Sequence, residues 1–182
     1  MRWTSQNRRA GIIAVFGFAC VSFPLQALAA TPAGDASSIF SRITVDVPFF
    51  TRHVPHPEQF NNHNWGAFVD VALSEEWSIA AGDFINSYKR ATIFAGLAWM
   101  PLRLDLSHVN ARAGVMFGFD ANGGYRPYNK VNPLLGALSI RFTGAGFGND
   151  VFNRLGIAIK VIPPAPKGGS TAINFALSYK LD

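Results

Sequence analysis

The chain has 182 residues, enough for one domain and too few for two ordinary ones. Its apolar content of 49% excludes global disorder, and its 15% of charged residues lies below the roughly 25% of ordinary soluble domains. With 13% aromatic residues and 17 glycines, the composition is typical of a small β protein.

The N-terminus has the layout of a secretory signal peptide. Three arginines lie among the first nine residues, and an apolar stretch follows at 11–28. The small residues Ala27 and Ala29 suit the −3 and −1 positions of a cleavage site. We therefore predict a cleaved signal peptide over residues 1–29, with an uncleaved membrane anchor as the alternative.

The mature chain is close to neutral and lacks cysteine. Without the three leader arginines it has 13 basic and 11 acidic residues, a net charge of +2, which does not indicate a nucleic-acid partner. Cys20 is lost with the leader, so disulfides, zinc–thiolate sites and a cysteine nucleophile are excluded. No mature segment offers 18 consecutive apolar residues, so we expect no membrane-spanning helix.

Residues 30–42 form a leader ahead of the main domain, which we place at 43–182. At the end of this leader and into the first residue of the main domain, residues 36–43 have the pattern of a short amphipathic helix lying in a membrane interface. A disordered leader is the alternative, because eight residues are few for a helix.

From residue 43 onward, apolar residues alternate with small or charged ones. A period of two predicts β-strands. The predicted strands lie near residues 43–50, 65–73, 77–84, 91–99, 112–119, 137–142, 154–161 and 173–181.

Most of these eight strands run about nine to eleven residues, the length of a tilted transmembrane strand. One face is continuously apolar, whereas the other carries Gly, Ala and Ser with isolated charges. This pattern predicts an all-β fold, an eight-stranded antiparallel up-and-down transmembrane β-barrel with its apolar face toward lipid. A secreted soluble β-sandwich or barrel is the alternative.

The same facing pattern predicts the contents of the barrel. Five basic residues, Arg112, Arg141, Arg154, Lys160 and Lys180, are expected inside together with Asp70. Small inward residues such as Gly82, Gly96 and Gly118 would leave room for an acyl chain. We expect no open pore, because a small barrel fills its lumen with side chains.

Strand order places four loops at one end of the barrel, near 50–64, 86–90, 120–133 and 162–170. Cations outnumber anions in these loops, which suits a surface of phosphorylated lipid such as lipopolysaccharide. The cations are Arg52, Lys89, Arg90, Arg126, Lys130 and Lys167, and the anions are Glu58 and Asp120.

Three of the four histidines, His53, His56 and His63, fall in the first of these loops. The spacing of His53 and His56 suits metal binding on a helix, but Pro55 and Pro57 interrupt any helix there. No carboxylate cluster accompanies them, so we expect no metal site and no cofactor. A histidine acting as general base at the rim is the alternative that we favour chemically.

The second loop carries Asn86 and Ser87. A serine beside a histidine is an activated nucleophile or positions a substrate. Ordinary hairpin chemistry is the competing interpretation, because Asn and Ser are common turn residues.

Three segments resemble the lipid A palmitoyltransferase family: Asn64-Trp65-Gly66, Asn86-Ser87-Tyr88-Lys89 and Ala95-Gly96-Leu97-Ala98-Trp99-Met100-Pro101-Leu102. The resemblance implies an eight-stranded outer-membrane barrel that moves a palmitoyl chain from phospholipid onto lipid A. It also implies a catalytic set of a loop histidine with an Asp-Ser pair. Ser87 matches the serine, Asn86 stands in place of the aspartate, and His53 or His56 would be the histidine.

We therefore expect a lipid A acyltransferase-like barrel in the cell outer membrane, most simply as a monomer. Its expected partners are phospholipid, lipopolysaccharide and the outer-membrane assembly machinery, although Asp182 stands where such barrels usually end in an aromatic residue. Two alternatives are a non-enzymatic outer-membrane barrel that binds lipid or stabilises the envelope, and a soluble secreted barrel that binds an apolar ligand.

Overall fold

Eight strands, paired only with their neighbours in sequence and closed by β1 against β8, form an antiparallel barrel in a computed structural model of the chain. The structure describes residues 37–55, 57–125, 134–164 and 170–182. The predicted signal peptide, most of the leader and His56 lie outside the described residues. So do Arg126, Lys130 and Lys167 among the predicted loop cations.

The strands are β1 (Ile43–Val54), β2 (Gly66–Ala72), β3 (Trp77–Ile85), β4 (Ala91–Asp105), β5 (Val109–Asp120), β6 (Leu134–Gly144), β7 (Leu155–Ile162) and β8 (Thr171–Lys180). A helical turn α1 (Ser37–Phe40) precedes β1, a 3₁₀ turn occupies Pro57–Gln59, and a short helix α2 (Asp150–Arg154) precedes β7. Within the described residues, no helix is long and apolar enough to cross a membrane. The predicted all-β, eight-stranded antiparallel barrel is thus confirmed.

We call the end of the barrel that carries the described residues 57–65, 86–90, 121–125 and 163–164 the loop end. The other end, the turn end, carries segments 73–76, 106–108 and 145–154. β4 runs to Asp105, beyond the predicted strand at 91–99, so only three residues connect it to β5. β1 likewise continues to Val54, which places His53 on a strand rather than in the first loop as predicted.

The predicted facing of the strands is correct. Large apolar side chains on the outer surface remain exposed, among them Trp65 at 60%, Leu138 at 59% and Phe119 at 55%. Small inward residues are buried, with Ala80 and Ala158 at 0%. Because strand side chains alternate between two faces, the outward set forms an apolar belt around the barrel. Two charged residues, Arg52 on β1 and Asp83 on β3, are exposed on the same outward face toward the loop end.

Tryptophans mark both edges of this belt. Trp77 and Trp99 stack at the turn end with ring centroids 5.9 Å apart, and the Trp99 indole donates to Glu76. Trp65 follows the first loop at the opposite end, and its carbonyl accepts from the Ile85 amide.

The half of the interior toward the turn end holds an ion cluster centred on Asp46, which is fully buried. Asp46 accepts hydrogen bonds from Arg141 at 2.8 Å, from Lys160 at 2.9 Å and from the Ser178 hydroxyl. Arg141 also donates to Asp70 at 2.6 Å. The two carboxylates and two cations balance, as charges inside a narrow barrel must.

Asp70, Arg141 and Lys160 were predicted inside and are found there. Arg112 pairs with Arg141 across β5 and β6 and so shares its inward face, but its guanidinium reaches the turn end and donates to the Glu75 carbonyl. Lys180 is exposed, and Arg154 belongs to α2 and pairs with Asp182. Their side chains lie where strands end and solvent hydrates a charge more cheaply than an apolar interior does.

The interior above this cluster is aromatic. Phe68 and Phe94, with ring centroids 6.1 Å apart, are packed with Ala98 and Met116. Their rings occupy the space left by inward glycines, since a β-carbon on Gly118 would lie 2.8 Å from Phe94 Cε2. The space beside the inward glycines is therefore filled by aromatic side chains.

We predict that Asp46→Leu lowers the free energy of unfolding by about 3–5 kcal/mol, because Lys160 and Arg141 then stay buried without this carboxylate. Urea unfolding followed by circular dichroism in detergent micelles measures the effect. The matched control is Asp105→Leu, which removes the exposed partner of Arg103 and should cost less than about 1 kcal/mol. Equal losses in the two variants would contradict the prediction.

Candidate functional site

His53 lies near the C-terminal end of β1 with its side chain directed into the barrel, only 1% exposed. Its Nε2 atom lies 2.8 Å from the hydroxyl oxygen of Ser87, and its Nδ1 atom lies 2.9 Å from Oδ1 of Asn62. Three residues from the first strand, the first loop and the second loop thus form one hydrogen-bonded row at the loop end.

Ser87 sits in the turn between β3 and β4, and Asn86 organises that turn. The Asn86 side chain is fully buried. Its Oδ1 accepts from the backbone amides of Tyr88 at 2.8 Å and Arg90 at 3.1 Å, and its Nδ2 donates to the Thr92 hydroxyl at 2.9 Å. Because these contacts use the amide group, Asn86 supports the turn rather than facing His53.

Hydrogen bonds attach the first loop to β1 and to the turn between β3 and β4. The Asn62 carbonyl accepts from the Thr51 amide of β1, and the Asn61 amide donates to the Ser87 carbonyl, each at 2.8 Å. The Asn64 side chain donates to the Ile85 carbonyl at 2.8 Å. These bonds hold the loop across the barrel mouth and keep Asn62 and Ser87 on either side of His53.

An aromatic row covers the site. The Phe60 ring stacks on the His53 imidazole at 4.8 Å, Tyr88 meets Phe60 edge-on at 5.6 Å, and Tyr125 meets Tyr88 at 6.0 Å. Burial, with the charges of Tyr88 and Asp120 as smaller contributions, raises the pKa of Tyr125, so its phenol stays protonated. The row shields the imidazole from water, while Ser87 remains partly exposed.

Tyr125 also borders an apolar pocket inside the barrel. The pocket runs between the rings of Phe68, Phe84 and Phe94, and Lys160 of the ion cluster forms part of its wall. The Lys160 ammonium lies 4.5 Å from the centre of the Phe68 ring. The pocket therefore combines apolar walls with a charged boundary. The aromatic row of Tyr125, Tyr88 and Phe60 separates it from His53.

Strand pairing is incomplete beside this pocket. β6 and β7 pair from Thr143–Gly156 up to Leu138–Val161, while the pocket residues Leu135, Gly136 and Ala137 lie beyond this ladder. β1 and β2 pair only from Ile43–Val71 to Asp46–Phe68 among the described residues. Both seams are therefore loosest toward the loop end, at the level of the pocket and the site.

The structure separates His63 and His108 from this row. His63 is exposed in the first loop, and His108 stacks on Phe147 at the turn end. The described part of the chain contains no group of three His, Cys, Asp or Glu side chains that could hold a metal. Of the predicted site residues, the structure brings His53 and Ser87 together and keeps Asn86 in the turn.

Asn62 was missed by the sequence analysis. The only local signal was the run of amides and histidine just before Trp65, at residues 61–64. Nothing in that run distinguishes Asn62 from Asn61 or Asn64, because its contact with His53 depends on how the loop folds back over β1.

We predict that Asn86→Ala lowers the free energy of unfolding by about 1–3 kcal/mol, because two backbone amides and the Thr92 hydroxyl lose their partner. Asn86→Asp should cost less than about 1 kcal/mol, since a carboxylate still accepts from both amides and from the hydroxyl. Urea unfolding in micelles compares the two variants. An Asn86→Ala variant as stable as the parent would show that the turn does not need this side chain.

Comparison with models of known protein families finds none that matches the chain, and comparison with curated proteins finds no significantly similar sequence.

Proposed function

We propose that this chain is an outer-membrane barrel enzyme that transfers an acyl chain from a phospholipid to lipid A at the loop end. The hydrogen bond between His53 Nε2 and Ser87 Oγ carries the proposal, since a serine and a histidine base at 2.8 Å are the minimum for acyl transfer through a serine ester. The neighbouring apolar pocket offers surface for a hydrocarbon chain.

A membrane location is supported by the outer surface of the barrel. Between Ala91 and Trp99, where every outward residue of β4 is apolar, the strand rises about 26 Å along its length, or about 20 Å along the axis at the usual barrel tilt. The apolar belt of lipid-facing barrels is of similar height, about 25 Å. Soluble monomers rarely expose a continuous apolar surface of this kind.

The chemistry follows from the geometry of the pair. Ser87 Oγ attacks the ester carbonyl carbon of the donor while His53 Nε2 takes the hydroxyl proton. The ester bond to the glycerol oxygen then breaks, and the imidazolium returns the proton to that oxygen, which leaves an acyl-Ser87 ester and a lysophospholipid. A hydroxyl of lipid A next loses its proton to His53 and attacks the acyl carbon. The bond from that carbon to Ser87 Oγ breaks, the imidazolium returns the proton to Oγ, and acylated lipid A leaves.

The two loose seams give this reaction a route for lipids that stay in the membrane. A chain entering between β6 and β7 would meet Leu135 and Gly136 first and then the apolar pocket. A lipid approaching between β1 and β2 would arrive beside His53. Exposed cations Arg52, Lys89 and Arg90 around the rim suit the phosphates of both substrates.

We predict that expression in Gram-negative cells adds an acyl mass to lipid A, measured by mass spectrometry of extracted lipid. Ser87→Ala and His53→Gln should each reduce transfer by roughly 10³-fold or more, because either change removes the nucleophile–base pair. His63→Ala is the control, since that exposed residue lies in the same loop and should leave transfer unchanged.

Fractionation of the same cells tests the location. Protein folded in the outer membrane that adds no mass to lipid A would favour a lipid-binding or envelope-stabilising barrel instead. Protein recovered in the soluble fraction would favour a secreted barrel with an apolar ligand.

A further inference from the structure

Beyond Ser87, the imidazole of His53 has a second contact that constrains its chemistry. Nδ1 lies 2.9 Å from Oδ1 of Asn62. An amide oxygen only accepts hydrogen bonds, so Nδ1 carries the hydrogen in this arrangement. The lone pair of Nε2 is then directed at the Ser87 hydroxyl, as a general base requires.

We propose that Asn62 is the positioning residue of His53, completing a Ser87–His53–Asn62 row that works as a catalytic triad with a neutral third member. This inference rests on the proposed acyl transfer and names the residue that makes His53 a base. Asn62 acts through His53 and touches no substrate. Its role is to hold the imidazole ring and its tautomer before the substrate arrives.

Asn62 is well placed for this role because its backbone is held independently of its side chain. The Asn62 carbonyl accepts from the Thr51 amide, two residues before His53 on β1. Changes to the side chain therefore leave this backbone bond in place. The Phe60 ring stacks on the face of the imidazole, with centroids 4.8 Å apart and an interplanar angle of 24°, and so restricts rotation of the imidazole.

The assignment also accounts for an amide at Asn86. If Asn86 were the partner of His53, an amide in place of the family's aspartate would favour the wrong tautomer of the His53 imidazole. Asn86 instead uses its Oδ1 and Nδ2 atoms on Tyr88, Arg90 and Thr92. Because Asn62 of the first loop orients His53, an aspartate at position 86 in the second loop is not needed for that purpose.

The test compares Asn62→Leu, which removes the acceptor at similar size, with Asn62→Asp, which keeps an acceptor. His63→Ala is the matched control in the same loop. The acyl-transfer rate of purified protein in mixed micelles of phospholipid and lipid A is followed against pH, alongside urea unfolding to show that each variant is folded.

We expect Asn62→Leu to lower kcat by roughly 10²- to 10⁴-fold with KM changed less than about threefold. Asn62→Asp should restore the rate to within about tenfold of the parent. Its acid limb should move to higher pH, because a carboxylate stabilises the imidazolium more than an amide does. Asn62→Leu with nearly parental kcat, or Asn62→Asp as inactive as Asn62→Leu, would overturn the assignment.

A second readout does not depend on activity. Nitrogen NMR of ¹⁵N-histidine-labelled protein in micelles, with His53→Gln to identify the signal, reports which ring nitrogen carries the hydrogen. We expect Nδ1–H in the parent and loss of that preference in Asn62→Leu. An Nε2–H imidazole in the parent would refute the positioning role. A parent without transfer activity but with Nδ1–H would refute the proposed function alone.

Discussion

β1 pairs with β8 from Thr44–Lys180 to Val54–Thr171, and this closure is the constraint on which the other features depend. It gives every strand two neighbours, so that no strand is an edge strand, although β1–β2 and β6–β7 pair over only part of their length. Closure also separates an inner from an outer face, which lets small and charged residues collect inside while apolar residues face out. Without it, Asp46 on β1 would not reach Lys160 on β7 or Ser178 on β8.

The closed interior is divided along its axis. Toward the turn end, two carboxylates and two cations balance one another in charge, which is the condition for keeping charges in a narrow lumen. Toward the loop end, phenylalanine rings lie over inward glycines and border the apolar pocket. Lys160 belongs to both halves, since it binds Asp46 and lies over the Phe68 ring. The pocket therefore has its charged boundary on the side away from the loops.

At the loop end, two asparagine side chains contribute to the site in different ways. Asn86 is buried and accepts hydrogen bonds from the backbone amides of Tyr88 and Arg90, which stabilises the turn that carries the Ser87 hydroxyl. Asn62 reaches the far side of the imidazole from the preceding loop. A rigid strand supplies His53, while loops supply its two partners. Positions on a closed sheet are well determined, so the geometry of the row depends mainly on how firmly the two loops are held to β1 and to each other.

The period-two pattern determined the strand number, the facing and the all-β class, because alternation is a local consequence of the pleat. It placed Ser87 and Asn86 in one tight turn for the same reason. It misjudged the ends of β1 and β4, because an irregularity between Pro48 and Phe50 and another between Trp99 and Leu102 shift the phase of the alternation while pairing continues. Cations predicted inside at mid-strand are buried there, whereas those near strand ends reach solvent, which competes with the interior.

The partners of each buried polar group were decided only by the tertiary structure. Asp46 gains its role from β6, β7 and β8, far away in sequence, and no local pattern distinguished it from other strand aspartates. Asn62 likewise became the neighbour of His53 only when the first loop folded back onto Thr51. The face on which a strand side chain lies follows from its neighbours along the chain, so the sequence determines it. Hydrogen-bond partners across a barrel depend on strand register and on closure, which are properties of the whole sheet.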